Sequence, residues 1–257
     1  MYVVGQYPSF LRHNWTFLKT VIKKLFEFMR EDYPGIMEMA CNAFLKIARS
    51  TADQFTTIQS NEQEPYIREI IRRAPDHIRR LHPETLQYTF YESMGHFVSS
   101  EPNPETQLQL MKEVLGELLF EFGQIITAAE SNPNLLREEE IVRKILYFLR
   151  VNENVAVGVG STYAMLLDHI CGNFNKLYLH YSNEVNQSVN QNGMHILNFM
   201  TIRSMRQIKK EVIKVYTRLL ERCNDLTLPQ AQHILNNFIY QLGDMLVDFE
   251  NSIPETK

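Results

Sequence analysis

Helix breakers are scarce in this sequence. Ten Gly and ten Pro among 257 residues fall short of the roughly 12% that average chains carry. That shortage argues against a barrel or sandwich, which needs a turn every 8–12 residues or so. Positive charge is also short: 26 Lys and Arg against 30 Asp and Glu leave a net charge of −4, unlike the basic balance of a dedicated nucleic-acid binder. No apolar run reaches the ~18 unbroken positions of a spanning helix, so no membrane is expected as a partner. The opening Met1-Tyr-Val-Val-Gly-Gln-Tyr-Pro8 has neither the basic n-region nor the apolar h-region of a secretory leader. Cysteine is limited to Cys41, Cys171 and Cys223. An odd number, far apart, makes neither a disulfide framework nor a Cys-x-x-Cys metal pair, and a reducing intracellular compartment is the default.

What is present is helical periodicity. Apolar residues recur at three- and four-residue spacing almost throughout, and period-two alternation is nearly absent, which predicts an all-α fold. The expected helices run from a Ser9 cap to Asp32, from Ile36 to Ser50, from Gln63 to Leu81 with a kink at Pro75, and from Pro83 to Ser99. The pattern resumes from Glu105 to Glu130, in one piece or in two around Gly116, and continues from Leu135 to Val151 after Pro133. A helix from Val155 to about Asn190 follows the flexible Val157-Gly-Val-Gly160, and Asn186 to Gly193 reads as a polar loop. His195 to Cys223 and Pro229 to Glu250 complete the chain.

The helices fall into short-linked pairs whose first members start near residues 9, 63, 105, 155 and 195, at intervals of 54, 42, 50 and 40. These scatter around the ~40–47 residues of a HEAT or armadillo unit. No motif recurs in the text, so the repeat is structural; a long irregular bundle is the competing arrangement. Each unit of such a solenoid buries its face against its neighbours alone. The opening residues read as the tail of a helix and the end lacks a polar capping element, which predicts a piece of a longer array.

Chemistry is poorly supported. Gly158-Val-Gly160-Ser-Thr-Tyr lacks the third glycine, preceding strand and following Lys of a phosphate loop. The eight histidines form no His-x-x-x-His pair and read as solvated or core-edge groups. Glu138-Glu139-Glu140 suits the first turn of a helix, where the dipole favours acid. No Ser occupies a nucleophile elbow. The expectation is no enzyme, no cofactor and no metal. Arg72, Arg73, Arg79 and Arg80, and the stripe Arg203, Arg206 and Lys210, are two basic stretches that suit either a wet face or an acidic partner.

The first helix is the most informative. Leu11, Trp15, Leu18, Ile22, Leu25 and Met29 form one stripe at spacings of 4, 3, 4, 3 and 4, enough to bury the helix on its pair-mate. Phe10, Phe17, Val21 and Phe28, with Lys24 among them, form a second row that something else must cover. A neighbouring repeat or a ligand helix would each fit it.

Residues of this helix also carry a resemblance. Met1-Tyr-Val-Val-Gly-Gln-Tyr-Pro8, Phe10-Leu-Arg12, Trp15, Phe17-Leu-Lys-Thr-Val21 and Lys24-Leu-Phe-Glu-Phe-Met29 resemble the central part of the exportin-one family. Its members are importin-β (karyopherin) superfamily receptors for leucine-rich nuclear export signals. Met39-Ala-Cys41 with Phe44, Lys46, Ile47 and Ala48 continues the likeness, and Ile202-Arg-Ser-Met-Arg206, Lys209 and Glu211 take it up again. Between Thr51 and Asn198 it lies mostly in helix pattern.

The resemblance implies a HEAT-repeat α-solenoid, a right-handed superhelix of antiparallel helix pairs forming part of a longer ring. It implies one block of about five pairs over residues 1–257, with 1–50 carrying one wall of the export-signal groove. In that family the outer helices of consecutive repeats make the groove. The matching positions are Met1, Phe17, Val21, Leu25, Phe28 and Met39 as apolar lining, Lys24 at the narrow end and Glu27 at the rim, with Phe10 supporting from behind. Implied partners are cargo proteins bearing leucine-rich export signals, Ran-GTP and nucleoporins, with shuttling between nucleus and cytoplasm and no direct nucleic-acid or membrane contact. Thr16, Lys23 and Arg30 depart from the family pattern. The opposite wall and the family's inhibitor-reactive cysteine belong to the preceding repeat, so Cys41, Cys171 and Cys223 do not inherit that reactivity. The rival readings are a HEAT scaffold for protein assembly without a peptide groove, and a helical enzyme with dispersed catalytic residues.

Overall fold

The computed structural model describes residues 8–33, 35–222, 239, 240 and 242–248. Among them every regular element is helical. The order is α1 (Pro8–His13), α2 (Trp15–Phe28), α3 (Ile36–Thr51), α4 (Asp53–Thr56), α5 (Tyr66–Ile78), α6 (Glu84–Ser99), α7 (Pro104–Val114), α8 (Gly116–Ser131), α9 (Glu139–Val159), α10 (Tyr163–Asn192) and α11 (Met200–Arg222). Short 3-10 turns at Pro133–Arg137, Gly160–Thr162 and Met194–Asn198 link the later helices. The fold is all-α, of the helical-repeat solenoid class. Of the expected last helix, 239, 240 and 242–248 are helical, and the remainder, like Cys223, lies outside the described residues.

Two compact units are present. One takes in the described chain up to Leu115 together with Asn154–Thr162, and the other takes in Gly116–Glu153 and the described chain from Tyr163 onward. In the first unit α2 packs on α3, α3 on α6, and α5 on α6. An aromatic cluster fills the space: Phe44 lies 5.3 Å from Phe26 and from Phe90 and 5.4 Å from Phe97, and Phe55 is 4.2 Å from Phe97. In the second unit Phe122 stacks on Phe148 at 4.2 Å, and Phe174 joins both rings and Tyr216. Each such buried side chain stabilises the fold by roughly 1.5–3 kcal/mol.

Contacts within each unit carry the repeat that the text of the sequence hides. Arg12 pairs with Asp53, Lys19 with Glu62, Arg49 with Glu92 and Arg68 with Glu113, at separations of 41, 43, 43 and 45 residues. In the second unit Lys176 pairs with Glu130, Arg137 with Glu184, and the Tyr181 hydroxyl donates to the Leu136 carbonyl, at 46, 47 and 45. These separations equal one HEAT-sized unit.

Several expected boundaries move. The first helix is two helices broken at Asn14, whose backbone (φ −129°, ψ 73°) leaves the helical region while its side-chain amide donates to the Phe10 carbonyl at 2.8 Å. An Asn that bonds the backbone locally competes with the helix in this way. Ser9 lies inside α1 instead of capping it. The division near Gly116 is present, with α7 capped by Asn103, whose side chain accepts from the Glu105 and Thr106 amides, and with Pro104 in its first turn. The expected helix start at Val155 is the end of α9, and Asn186–Asn192 is the last part of α10, not a loop. Val185 and Val189, four apart on one face, are buried there and hold the polar segment helical. Gly193, at φ +83°, follows the last turn. Glu139–Asn192 includes an 18-residue window of mean hydropathy 1.2, as apolar as a spanning helix, and 56% of that window is buried in the fold. Buried core helices reach the same composition.

Candidate functional site

The two rows of α1 and α2 separate cleanly. Leu11, Leu18, Ile22, Leu25 and Met29 are at most 2% exposed, facing the interior. Trp15 anchors the start of α2 to the following repeat, edge-on to Phe55 and Tyr66 at 5.9 and 5.5 Å, and its indole donates to Glu62 at 3.4 Å. Lys19 donates to the same carboxylate at 2.6 Å, holding Glu62 below its ordinary pKa.

On the other side, Phe10, Phe17 and Phe28 are 55%, 46% and 36% exposed and Val21 is half-buried. Phe10 meets Phe17 edge-to-face at 5.5 Å, so it stands in the exposed row beside Phe17 instead of supporting it from behind. Leu25 is corrected in the opposite sense. The resemblance puts it among the lining residues, but at 2% exposure it belongs to the stripe that packs inward and backs the row without facing solvent. Lys24 and Glu27, assigned separate places in the groove, form one exposed i,i+3 ion pair, a geometry worth little in stability at a surface. Met39 stands on a different helix, α3, and is half exposed. Met1 lies outside the described residues.

Cys41 is fully buried, and burial pushes its thiol up to about 12; Cys171 is buried as well. A buried thiol held protonated is inert as a nucleophile. In the first basic stretch Arg72 pairs with Glu64 and Arg73 with Glu69, while Arg203 and Lys210 are exposed on α11 with Arg206 half-buried between them.

Sequence reasoning missed a cleft of about 290 Å³ between α2 and α5, lined by Lys23, Phe26 and Glu27 of α2, by Arg30 just beyond its end, and by Arg73 and His77 of α5. His77 is 3% exposed, lines this cleft and packs on Phe26 at 4.4 Å, so of the two readings it is a core-edge histidine and not a solvated one. The five-residue spacing of His77 and His82 gives no hint of burial, because the cleft depends on α2 packing near α5 across 40 residues of chain.

Residues 167–257 match a family model described as "CRM1 C terminal". Along its whole length the chain is 34% identical to Exportin-1 of Drosophila melanogaster, 32% to Exportin-1 of Dictyostelium discoideum and 30% to Protein EXPORTIN 1B of Arabidopsis thaliana. It covers 23–24% of those proteins. The likeness therefore includes the interval from Thr51 to Asn198, where the sequence suggests little beyond helix pattern. The chain is a homologue of the exportin-1 family over its entire length, spanning about a quarter of each relative.

Proposed function

We propose that this chain forms one wall of a hydrophobic groove that takes leucine-rich export signals, as part of a nuclear export receptor. The observation that carries the reading is the row Phe10 of α1 and Phe17, Val21 and Phe28 of α2, three of whose four side chains are at least 36% exposed while the opposite stripe of Leu11, Leu18, Ile22, Leu25 and Met29 is buried. An apolar row of this length beside an inward-packed stripe matches the i, i+3, i+4, i+7 anchors of a docked amphipathic segment. Phe17, Val21 and Phe28 supply the apolar wall, Leu25 packs inward behind it, and the resemblance assigns Met39 and Met1 to the same lining. Lys24, tied to Glu27, marks the polar edge where a badly shaped peptide would have to leave that pair unsatisfied.

The receptor carries cargo by binding alone. It engages Ran-GTP through other surfaces of the full-length protein, and Ran and cargo strengthen each other through coupled binding. Passage through the pore uses nucleoporin contacts, and the protein shuttles between nucleus and cytoplasm. Residues 1–257 act as one block of about five helix pairs. The names of the relatives and the exposed row support this reading together.

The test is affinity for a leucine-rich export peptide, measured by fluorescence anisotropy on the full-length gene product with Ran-GTP. Val21→Asp and Phe28→Ala should each weaken binding by about tenfold or more, the size of an interface anchor. Unchanged affinity in both variants would overturn the assignment.

A further inference from the structure

The inward stripe of α11 contains a lysine where its pattern calls for an apolar residue. Met205, Ile208, Val212 and Tyr216 are buried along it, and Lys209 falls among them at 5% exposure. A lysine that deep is rare unless its ammonium is paired. Here Nζ donates to Ser182 Oγ at 2.8 Å and lies 5.0 Å over the ring of Tyr178, both residues being one turn apart on α10. Ser182 is itself wholly buried. Its hydroxyl donates onward to Asp248 Oδ2 at 2.7 Å, and that oxygen is 3.7 Å from the ammonium. Three elements of the second unit thus meet at one charge.

The third element is the helical segment 242–248, which has a narrow apolar hold on the rest. Met245 is buried and Leu242 half-buried, whereas Asp244, Leu246 and Val247 are exposed. Helices in proteins are held mainly by the packing of an apolar face, and one methionine with half a leucine makes a small one. Asp248 follows Met245 by three residues, on the same face, and its side chain is 13% exposed. The serine fixes the sense of the chain of bonds: it accepts from the ammonium and spends its one proton on the carboxylate. Undocking the segment would take that carboxylate away from a buried cation, a larger loss than parting a surface pair.

We propose that Lys209, Ser182 and Asp248 form a charge latch that decides whether the segment 242–248 is docked on α10 and α11. With the latch closed the segment is part of the packed unit. With it broken the segment opens as a local unit of its own, while α10 and α11, which share their own apolar interior, stay folded. The latch lies in the second unit and stands whether or not the exposed row of α2 binds peptide.

The test is amide hydrogen exchange of the full chain, read by mass spectrometry on peptides covering 242–248, α10 and α11. Asp248→Asn keeps the size of the side chain and an acceptor for Ser182 but removes the charge. It should speed exchange in 242–248 by about tenfold or more, with exchange in α10 and α11 changed by less than about twofold. Lys209→Met should act in the same direction. In the double variant Lys209→Met/Asp248→Asn the two accelerations should not multiply, because one interaction has been removed twice. Asp248→Asn stands at the edge of the cluster and serves the test even if Lys209→Met fails to fold. Unchanged exchange in 242–248 for Asp248→Asn, an equal rise across α10 and α11, or accelerations that multiply in the double variant would each overturn the proposal.

Discussion

Leu25 and Phe28 are three residues apart on one helix and have opposite roles. Leu25 is 2% exposed and Phe28 36%. Truncating Leu25 leaves a cavity in a packed interior, which costs about 2–5 kcal/mol, whereas Phe28 is already partly in water and its loss falls nearer 1 kcal/mol. Urea unfolding followed by circular dichroism should show this order for Leu25→Ala and Phe28→Ala. Equal costs would mean that the exposed row is part of the core. Periodicity alone makes the two rows legible in the sequence, because 3.6 residues per turn separates Leu18 and Ile22 from Phe17 and Val21 by about 100°. It does not settle Leu25, since the resemblance puts that residue in the groove while the heptad-like spacing puts it in the stripe. Its burial, at 2% exposure, places it in the stripe. His77 is not legible at all: its burial arises from Phe26 and from two helices whose encounter no local pattern records.

Among the helices, the displaced boundaries share a cause in tertiary packing. Val157-Gly-Val-Gly160 looks flexible in sequence, yet α9 runs through Gly158 and stops at Gly160, which takes φ +81°. Gly158 is helical because α9 crosses α6 there at close range. A Cβ on Gly158 would collide with the Glu92 carbonyl oxygen and lie 2.8 Å from the His96 amide nitrogen, and one on Gly95 would lie 2.8 Å from the Val155 carbonyl oxygen. All of these obstacles are backbone, so a methyl group can be accommodated only by moving the helices apart. Gly158→Ala should therefore destabilise the protein by about 1–3 kcal/mol, although alanine is the better helix former by ~1 kcal/mol. Denaturant unfolding at constant m-value would measure it. A neutral or stabilising effect would show that the crossing tolerates a methyl group. The break at Asn14 is equally hidden, since the apolar stripe passes through it undisturbed and only the side-chain bond to Phe10 reveals the interruption.

Across the chain, the organisation rests on contacts between residues 41 to 47 apart. That periodicity is visible in the sequence only as helix spacing, because the pairs which enforce it differ chemically from repeat to repeat: Arg12 with Asp53, Lys19 with Glu62, Tyr181 with a backbone carbonyl. A structural repeat of this kind needs shape and spacing to recur, not residues. It frees each helix face to specialise, and one face of α2 leaves Phe17 and Phe28 uncovered, the wall proposed for the peptide. The most direct measurement of that claim is contact itself. A photo-reactive p-benzoylphenylalanine replaces Phe17 on α2, or Phe120 on α8, which is 69% exposed, in the full-length gene product with Ran-GTP and a labelled leucine-rich export peptide. Irradiation should join the peptide to position 17 and not to position 120. Equal labelling at both, or none at 17, would contradict the assignment of α2 as a groove wall.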